Sequence, residues 1–144
     1  MPTTCAVLIV EDDAAIRSLL AAALRRAQIE VEVASDGAEA LEKVAHGSYG
    51  VIVADLMMPR MDGYAFLDAL KLLTLPVKPV VFVMSAFDDS AFRLLDPAVV
   101  HGCFRKPFDV ERVVSLVQDC VALLREPADE ASEPLRELPP PPVC

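Results

Sequence analysis

Four short polar islands each follow an apolar run: Glu11-Asp12-Asp13 after Val7 to Val10, Asp55 after Val51 to Ala54, Ser85 after Val80 to Met84, and Lys106 after Cys103 to Arg105. Runs without polar alternation suit strands covered on both faces, the condition of a parallel sheet between two helical layers. If the strands are parallel, their carboxyl ends share one edge. An acid pair, a lone Asp, a hydroxyl and a Lys then meet in one crevice, where open α/β sheets bind ligands.

The segments between the runs read as helices. Ala14 to Ala27 places Ile16, Leu20, Ala23, Leu24 and Ala27 at helical spacing, with Arg17, Arg25 and Arg26 outside that stripe. Val31 to Ala34 is a short second strand, and Asp36 opens a helix with Ala40, Leu41 and Val44 inward and Gly47 at its end. A helix from about Tyr64 to Leu73 follows the Met61-Asp62-Gly63 loop, and a short fourth helix, Asp88 to Leu95, stops at Pro97. His101 to Phe104 is a weak fifth strand. Asp109 caps a last helix, Val110 to Leu124, with Val110, Val113, Val114, Val117, Val121 and Leu124 as its core stripe and Leu116 and Leu123 outside it. Five strands alternating with five helices imply a doubly wound parallel sheet with right-handed crossovers.

The 144 residues suit one domain, over about residues 1–125, with an acidic proline-rich tail, 126–144, in which apolar periodicity stops. The tail supplies −4 of the net charge of −9, leaving about −5 for the folded part. That sign disfavours direct binding to nucleic acid or to an anionic membrane. The chain has neither a bilayer-spanning stretch nor a signal-peptide pattern, so the expected location is cytoplasmic. A reducing cytoplasm and the absence of Cys-x-x-Cys spacing argue against a disulfide framework, and Cys5, Cys103 and Cys120 read as small apolar residues.

Adjacent carboxylates at Glu11 and Asp12 repel each other unless a cation lies between them, and Mg²⁺ is the natural hard ion for such oxygens. The competing reading is a helix N-terminal charge, which fits Asp13 better. Asp55 is either a turn former or, beside a metal, a nucleophile toward phosphorus. Ser85 and Lys106 could contact phosphoryl oxygens or be an ordinary loop hydroxyl and a surface charge. Their joint placement at four strand ends favours the functional reading.

The runs Val-Leu-Ile-Val-Glu-Asp-Asp and Val-Ile-Val-Ala-Asp-Leu-Met-Met-Pro, then Met61-Asp62-Gly63, Val-Met-Ser-Ala and Lys106-Pro107-Phe108 resemble the receiver domain of two-component response regulators over about residues 5–124. The resemblance implies the flavodoxin-like five-stranded sheet of order 2-1-3-4-5. It implies that Asp55 accepts a phosphoryl group from a phosphohistidine of a sensor histidine kinase or a His phosphotransfer protein. Glu11, Asp12, Asp55 and the Met57 backbone carbonyl would hold Mg²⁺, Ser85 and Lys106 would contact the phosphoryl group, and Lys106-Pro107 would be cis. Phosphorylation would then alter a protein-binding face built from the fourth helix, fifth strand and last helix.

Two departures from the family matter. Cys103 stands three residues before Lys106, where the family usually has a switch Tyr or Phe, and strand alternation points Phe104 to the opposite face. Met57 and Phe87, both large and apolar, occupy positions that influence water access in the family, so self-dephosphorylation should be slow. Alternative readings are a phosphorylation-independent interaction module and a receiver fragment of a larger multidomain regulator. A phosphotransferase of the haloacid dehalogenase type is the weakest reading, because Met57 occupies the place of its second Asp. Nothing after Leu124 has the length or apolarity of an output domain.

Overall fold

A computed structural model describes residues 6–58, 61–75, 78–85 and 95–125, apart from the side chain of Arg125. Residues 88–94 of the expected fourth helix, Phe87, Cys5 at the start of the first strand, and the tail at 126–144 lie outside the described residues, and Leu95 is in a bend.

The strands are β1 (Ala6–Val10), β2 (Val31–Ala34), β3 (Tyr49–Asp55), β4 (Val80–Ser85) and β5 (Val100–Arg105). All pair in parallel, in the order β2-β1-β3-β4-β5. Helices α1 (Ala14–Arg26), α2 (Gly37–His46) and α3 (Gly63–Leu72) follow the first three strands, and the C-terminal helix spans Val110–Arg125. Asp55 and Ser85, expected just beyond their strands, are the last residues of β3 and β4.

Side-chain alternation divides each strand between two cores. Val7, Ile9, Val51, Val53, Phe82, Met84 and Phe104 pack with Leu20 and Leu24 of α1 and with Val113, Val117 and Val121 of the C-terminal helix. Leu8, Val10, Ile52, Ala54, Val83 and Cys103 face the other way, toward Ala40 and Val44 of α2 and Phe66, Leu67 and Leu70 of α3. Fully burying one such Val, Leu or Phe contributes roughly 1.5–3 kcal/mol. Both faces are therefore apolar, and only the strand ends are open to polar chemistry.

The expected stripe of the C-terminal helix needs one correction at each end of its logic. Leu124 lies on the same helical face as Val117 but is 38% exposed, so the last turn overruns the layer on which the helix packs. Leu116, expected outside the stripe, is partly buried against the core, and Cys120 is fully buried within it.

Caps set where the helices begin. Asp13 accepts from the Ala15 and Ile16 amides, Asp36 from Glu39 and Asp62 from Ala65, each within 3.1 Å. Before the C-terminal helix, the Glu111 amide donates to Asp109 Oδ1 at 3.0 Å. No helix among the described residues is long and apolar enough to cross a membrane.

Candidate functional site

Sheet register brings the polar strand ends level. Val10 pairs with Ala34 on one side and Ala54 on the other, Asp55 pairs with Met84, and Ser85 with Arg105. Glu11, Asp55, Ser85 and Lys106 consequently lie along one edge. Glu11 and Ser85 are fully buried and Asp55 nearly so, while Asp12 is exposed at the mouth.

Lys106 joins the acids. Its Nζ donates to Glu11 Oε1 and to Asp55 Oδ2, both at 3.1 Å. The backbone holds Lys106 in place: its N–H donates to the Ser85 carbonyl at 2.8 Å, and the Lys106–Pro107 peptide is cis, as the resemblance implied. The other oxygen of Glu11, Oε2, accepts the Asp13 amide at 3.1 Å, so both Glu11 oxygens are engaged. The Met57 amide donates to Asp55 Oδ1 at 3.2 Å, while the Met57 side chain is half exposed.

Burial pushes the Glu11 carboxyl up to about 7 and the Asp55 charge adds to this, while the Asp13 amide and Lys106 pull it back. Burial works against the Lys106 ammonium, but hydrogen bonds and charge from Asp55 and Glu11 outweigh it and hold its pKa above the usual lysine value. The Lys106 ammonium thus offsets, in part, the repulsion between two buried acids.

Glu11, Asp12 and Asp55 can each present a carboxylate oxygen so that all three lie within 4.8 Å of one another. This is a hard, all-oxygen donor set open to solvent on the Asp12 side. It fits Mg²⁺, which binds through a few carboxylates and keeps several waters.

Two features of the site were not read from the sequence. Arg17, noted only as lying off the apolar stripe, donates from Nη1 to the Glu11 carbonyl at 2.9 Å and lies 3.5 Å from the Asp12 carbonyl. Helical side chains lean toward the N-terminus, so a long residue one turn after a cap reaches back over the preceding loop. That position was the available signal. Gly63 is the second feature: a Cβ there would meet Leu56 Cα at 2.6 Å and the Asp55 carbonyl at 2.7 Å. The loop entering α3 is therefore pressed directly against the backbone of Asp55.

Cys103 and Phe104 do face opposite cores. Phe104 packs on Phe82 with ring centroids 5.9 Å apart, and Cys103 lies on the α2 and α3 side. Cys103 is also disulfide-bonded, contrary to its reading as a reduced apolar residue, and its partner lies outside the described residues. A cavity of about 240 Å³ lies between α3 and the start of β5, lined by residues including Lys71, Lys78, Asp96 and His101. None of the acid-cluster residues line it.

A family model for the response regulator receiver domain matches residues 7–118. The chain belongs to the response regulator receiver family. It is 36% identical over 126 residues to the DNA-binding transcriptional regulator NtrC of Escherichia coli K12, an alignment covering 83% of this chain and 25% of NtrC. It is 35% identical over 131 residues to the response regulator MprA of Mycobacterium leprae, covering 88% of this chain and 54% of MprA. The chain thus spans about a quarter of NtrC and about half of MprA. Among solved structures, the receiver domain of the Francisella response regulator 1452 superposes with a TM-score of 0.74 at 28% identity, covering 83% of this chain and 98% of that one. The Vibrio cholerae chemotaxis protein CheY4 gives 0.73 at 30% identity, covering 81% and 98%. As a receiver, the chain takes part in two-component signalling.

Proposed function

We propose that this receiver is a Mg²⁺-dependent phosphoacceptor, with Asp55 taking a phosphoryl group from a phosphohistidine on a sensor histidine kinase or His phosphotransfer protein. The observation that carries this reading is the Lys106 ammonium, 3.1 Å from both Asp55 Oδ2 and Glu11 Oε1, beside the exposed carboxylate of Asp12.

An Asp55 carboxylate oxygen attacks phosphorus in line with the leaving imidazole. The P–N bond breaks, its electron pair stays on the imidazole nitrogen, which takes up a proton, and an acyl phosphate forms. Asp12 and Glu11, with Asp55 and the Met57 carbonyl, would hold the cation. When bound, Mg²⁺ offsets the negative charge gathering between the carboxylate and the phosphoryl oxygens. Lys106, already hydrogen-bonded to Asp55, supplies a point charge to one phosphoryl oxygen. Ser85, at the neighbouring strand end, offers a hydroxyl to another.

The phosphoryl group then biases a two-state protein-binding face made by the segment before β5, β5 itself and the C-terminal helix. The output is a protein contact in the cytoplasm or onward transfer to another His. The acyl phosphate is long-lived, because Met57, half exposed beside Asp55, and Phe87, at a sequence position that influences water access in the family, are apolar types with no group to orient an attacking water. A Met57→Asn, Phe87→Glu variant should lose phosphate faster, and an unchanged lifetime would remove this part of the reading.

The main test is incubation with Mg²⁺ and acetyl phosphate or phosphoramidate, followed by intact mass. Gain of one phosphoryl group that is absent in Asp55→Ala supports the reading. No gain, under conditions that label a receiver of established phosphorylation, would favour a phosphorylation-independent module.

A further inference from the structure

We propose that Arg17 is a positioning residue that sets the divalent-cation geometry by clamping the backbone on both sides of Asp12. This rests on reading the acid cluster as a cation site, and it concerns a residue outside that cluster. Of the three clustered acids, Glu11 and Asp55 have carboxylates held by hydrogen bonds, whereas Asp12 is exposed. The direction of the Asp12 carboxylate depends on the two peptide planes that meet at its Cα. Their oxygens are the carbonyls of Glu11 and Asp12, and Arg17 Nη1 lies 2.9 Å from the first and 3.5 Å from the second.

The strand ladder does not do this work. The Glu11 amide is the group tied to β2, donating to the Ala34 carbonyl at 3.0 Å. The Glu11 carbonyl belongs to a fully buried residue at the point where β1 ends, and Arg17 satisfies it from the first turn of α1. Asp13 caps that same turn through Ala15 and Ile16. Helix start, loop carbonyls and metal-facing carboxylate are therefore one rigid piece, closed by the guanidinium.

Two effects of losing Arg17 oppose each other. Removing a positive charge near the cluster favours cation binding, while freeing the two peptide planes disfavours it. Arg17→Lys separates them, because it keeps the charge and loses the planar fork. Outer-shell partners that orient ligands are typically worth 10–100-fold in metal affinity. Mg²⁺ demands near-octahedral geometry, whereas Ca²⁺ tolerates irregular sites. A geometric role therefore predicts a larger loss for Mg²⁺ than for Ca²⁺.

The experiment titrates the full chain with MgCl₂ and, separately, CaCl₂, following amide resonances of Asp12, Asp13 and Met57, for wild type, Arg17→Lys and Arg17→Met, with circular dichroism and melting as fold controls. The expected result is an apparent Mg²⁺ Kd raised about tenfold in Arg17→Lys, a Ca²⁺ Kd raised less than about threefold, and an Arg17→Met loss no greater than that of the Lys variant. Wild type that binds neither ion would overturn the cation reading itself. Wild type that binds Mg²⁺, with Arg17→Lys binding within twofold of it or losing both ions equally, would overturn the role of Arg17 alone. If Arg17→Lys does not fold, the same two Kd ratios are read from Arg17→Met.

Discussion

Lys106 Nζ and Asp55 Oδ2 lie 3.1 Å apart although the two residues are separated by 51 positions in the chain. The contact exists because β5 and β3 flank β4 in register, so their carboxyl ends flank Ser85. Sheet order thus sets a long-range electrostatic contact that no local stretch of sequence contains.

Lys106→Met should destabilise the fold by roughly 2–4 kcal/mol at pH 8, since it leaves Glu11 and Asp55 facing each other without a counter-charge. The deficit should shrink toward pH 5, where Glu11, already raised to about 7, is protonated and needs none. Added Mg²⁺ should raise Tm more in the variant than in wild type, because the ion replaces the lost charge. Urea melts at both pH values, with and without MgCl₂, check all three outcomes.

Gly63→Ala should cost about 1–3 kcal/mol through overpacking, because the added Cβ meets backbone that cannot rotate away. The Gly63 amide also donates to the Leu56 carbonyl at 2.9 Å, so relief of the clash must move the residue next to Asp55. Phosphorylation by acetyl phosphate should slow even in protein that remains folded, which a rate measured below the Tm of the variant would reveal.

Gln28→Gly should stabilise by about 0.5–1 kcal/mol. Gln28 has φ 67°, and the Ile29 amide closes α1 by donating to the Leu24 carbonyl at 3.1 Å. A side chain in the left-handed region costs roughly 1–2 kcal/mol, which exceeds the added chain entropy of glycine. Chemical denaturation with an unchanged m-value would check it.

His101 makes stability fall at mildly acid pH. Its Nδ1 accepts the Val81 amide at 3.2 Å, which requires an unprotonated nitrogen, and partial desolvation of the otherwise exposed residue holds its pKa below 6.5 despite a bond to the Val99 backbone that raises it. The unfolded chain binds the proton first. This contribution is therefore complete above pH 6.5 and is lost as pH falls from 6.5 through the lower folded value. Glu11 titrates with the opposite sign, so the informative quantity is a difference. Wild type should lose more Tm between pH 7.5 and 5.5 than His101→Asn, whose Oδ1 keeps the acceptor without titrating.

The candidate site residues were legible in the chain because Glu11, Asp55 and Ser85 each follow an uninterrupted apolar run and Lys106 closes a shorter one that ends in Arg105. Such runs mark buried parallel strands whatever lies between them, so the strand-end residues Glu11, Asp55, Ser85 and Lys106 could be listed together before any contact was known. The helix starts at Asp13, Asp36 and Asp109 were readable for a similar local reason, since a short acceptor side chain satisfies amides only two or three residues ahead, whereas Asp62 read only as part of a loop.

Tertiary structure decided what depends on approach between distant segments. Periodicity places Leu124 on the buried face of its helix, but only the extent of the opposing layer leaves it exposed. The role of Gly63 follows from how closely α3 is laid against β3, and that of Arg17 from carbonyls left over where a strand ladder stops. The raised Glu11 carboxyl likewise requires burial and two neighbours supplied by β3 and the residue after β5. Local sequence specifies which groups each strand end offers; packing alone sets their distances, and in a site of charges the distances determine the chemistry.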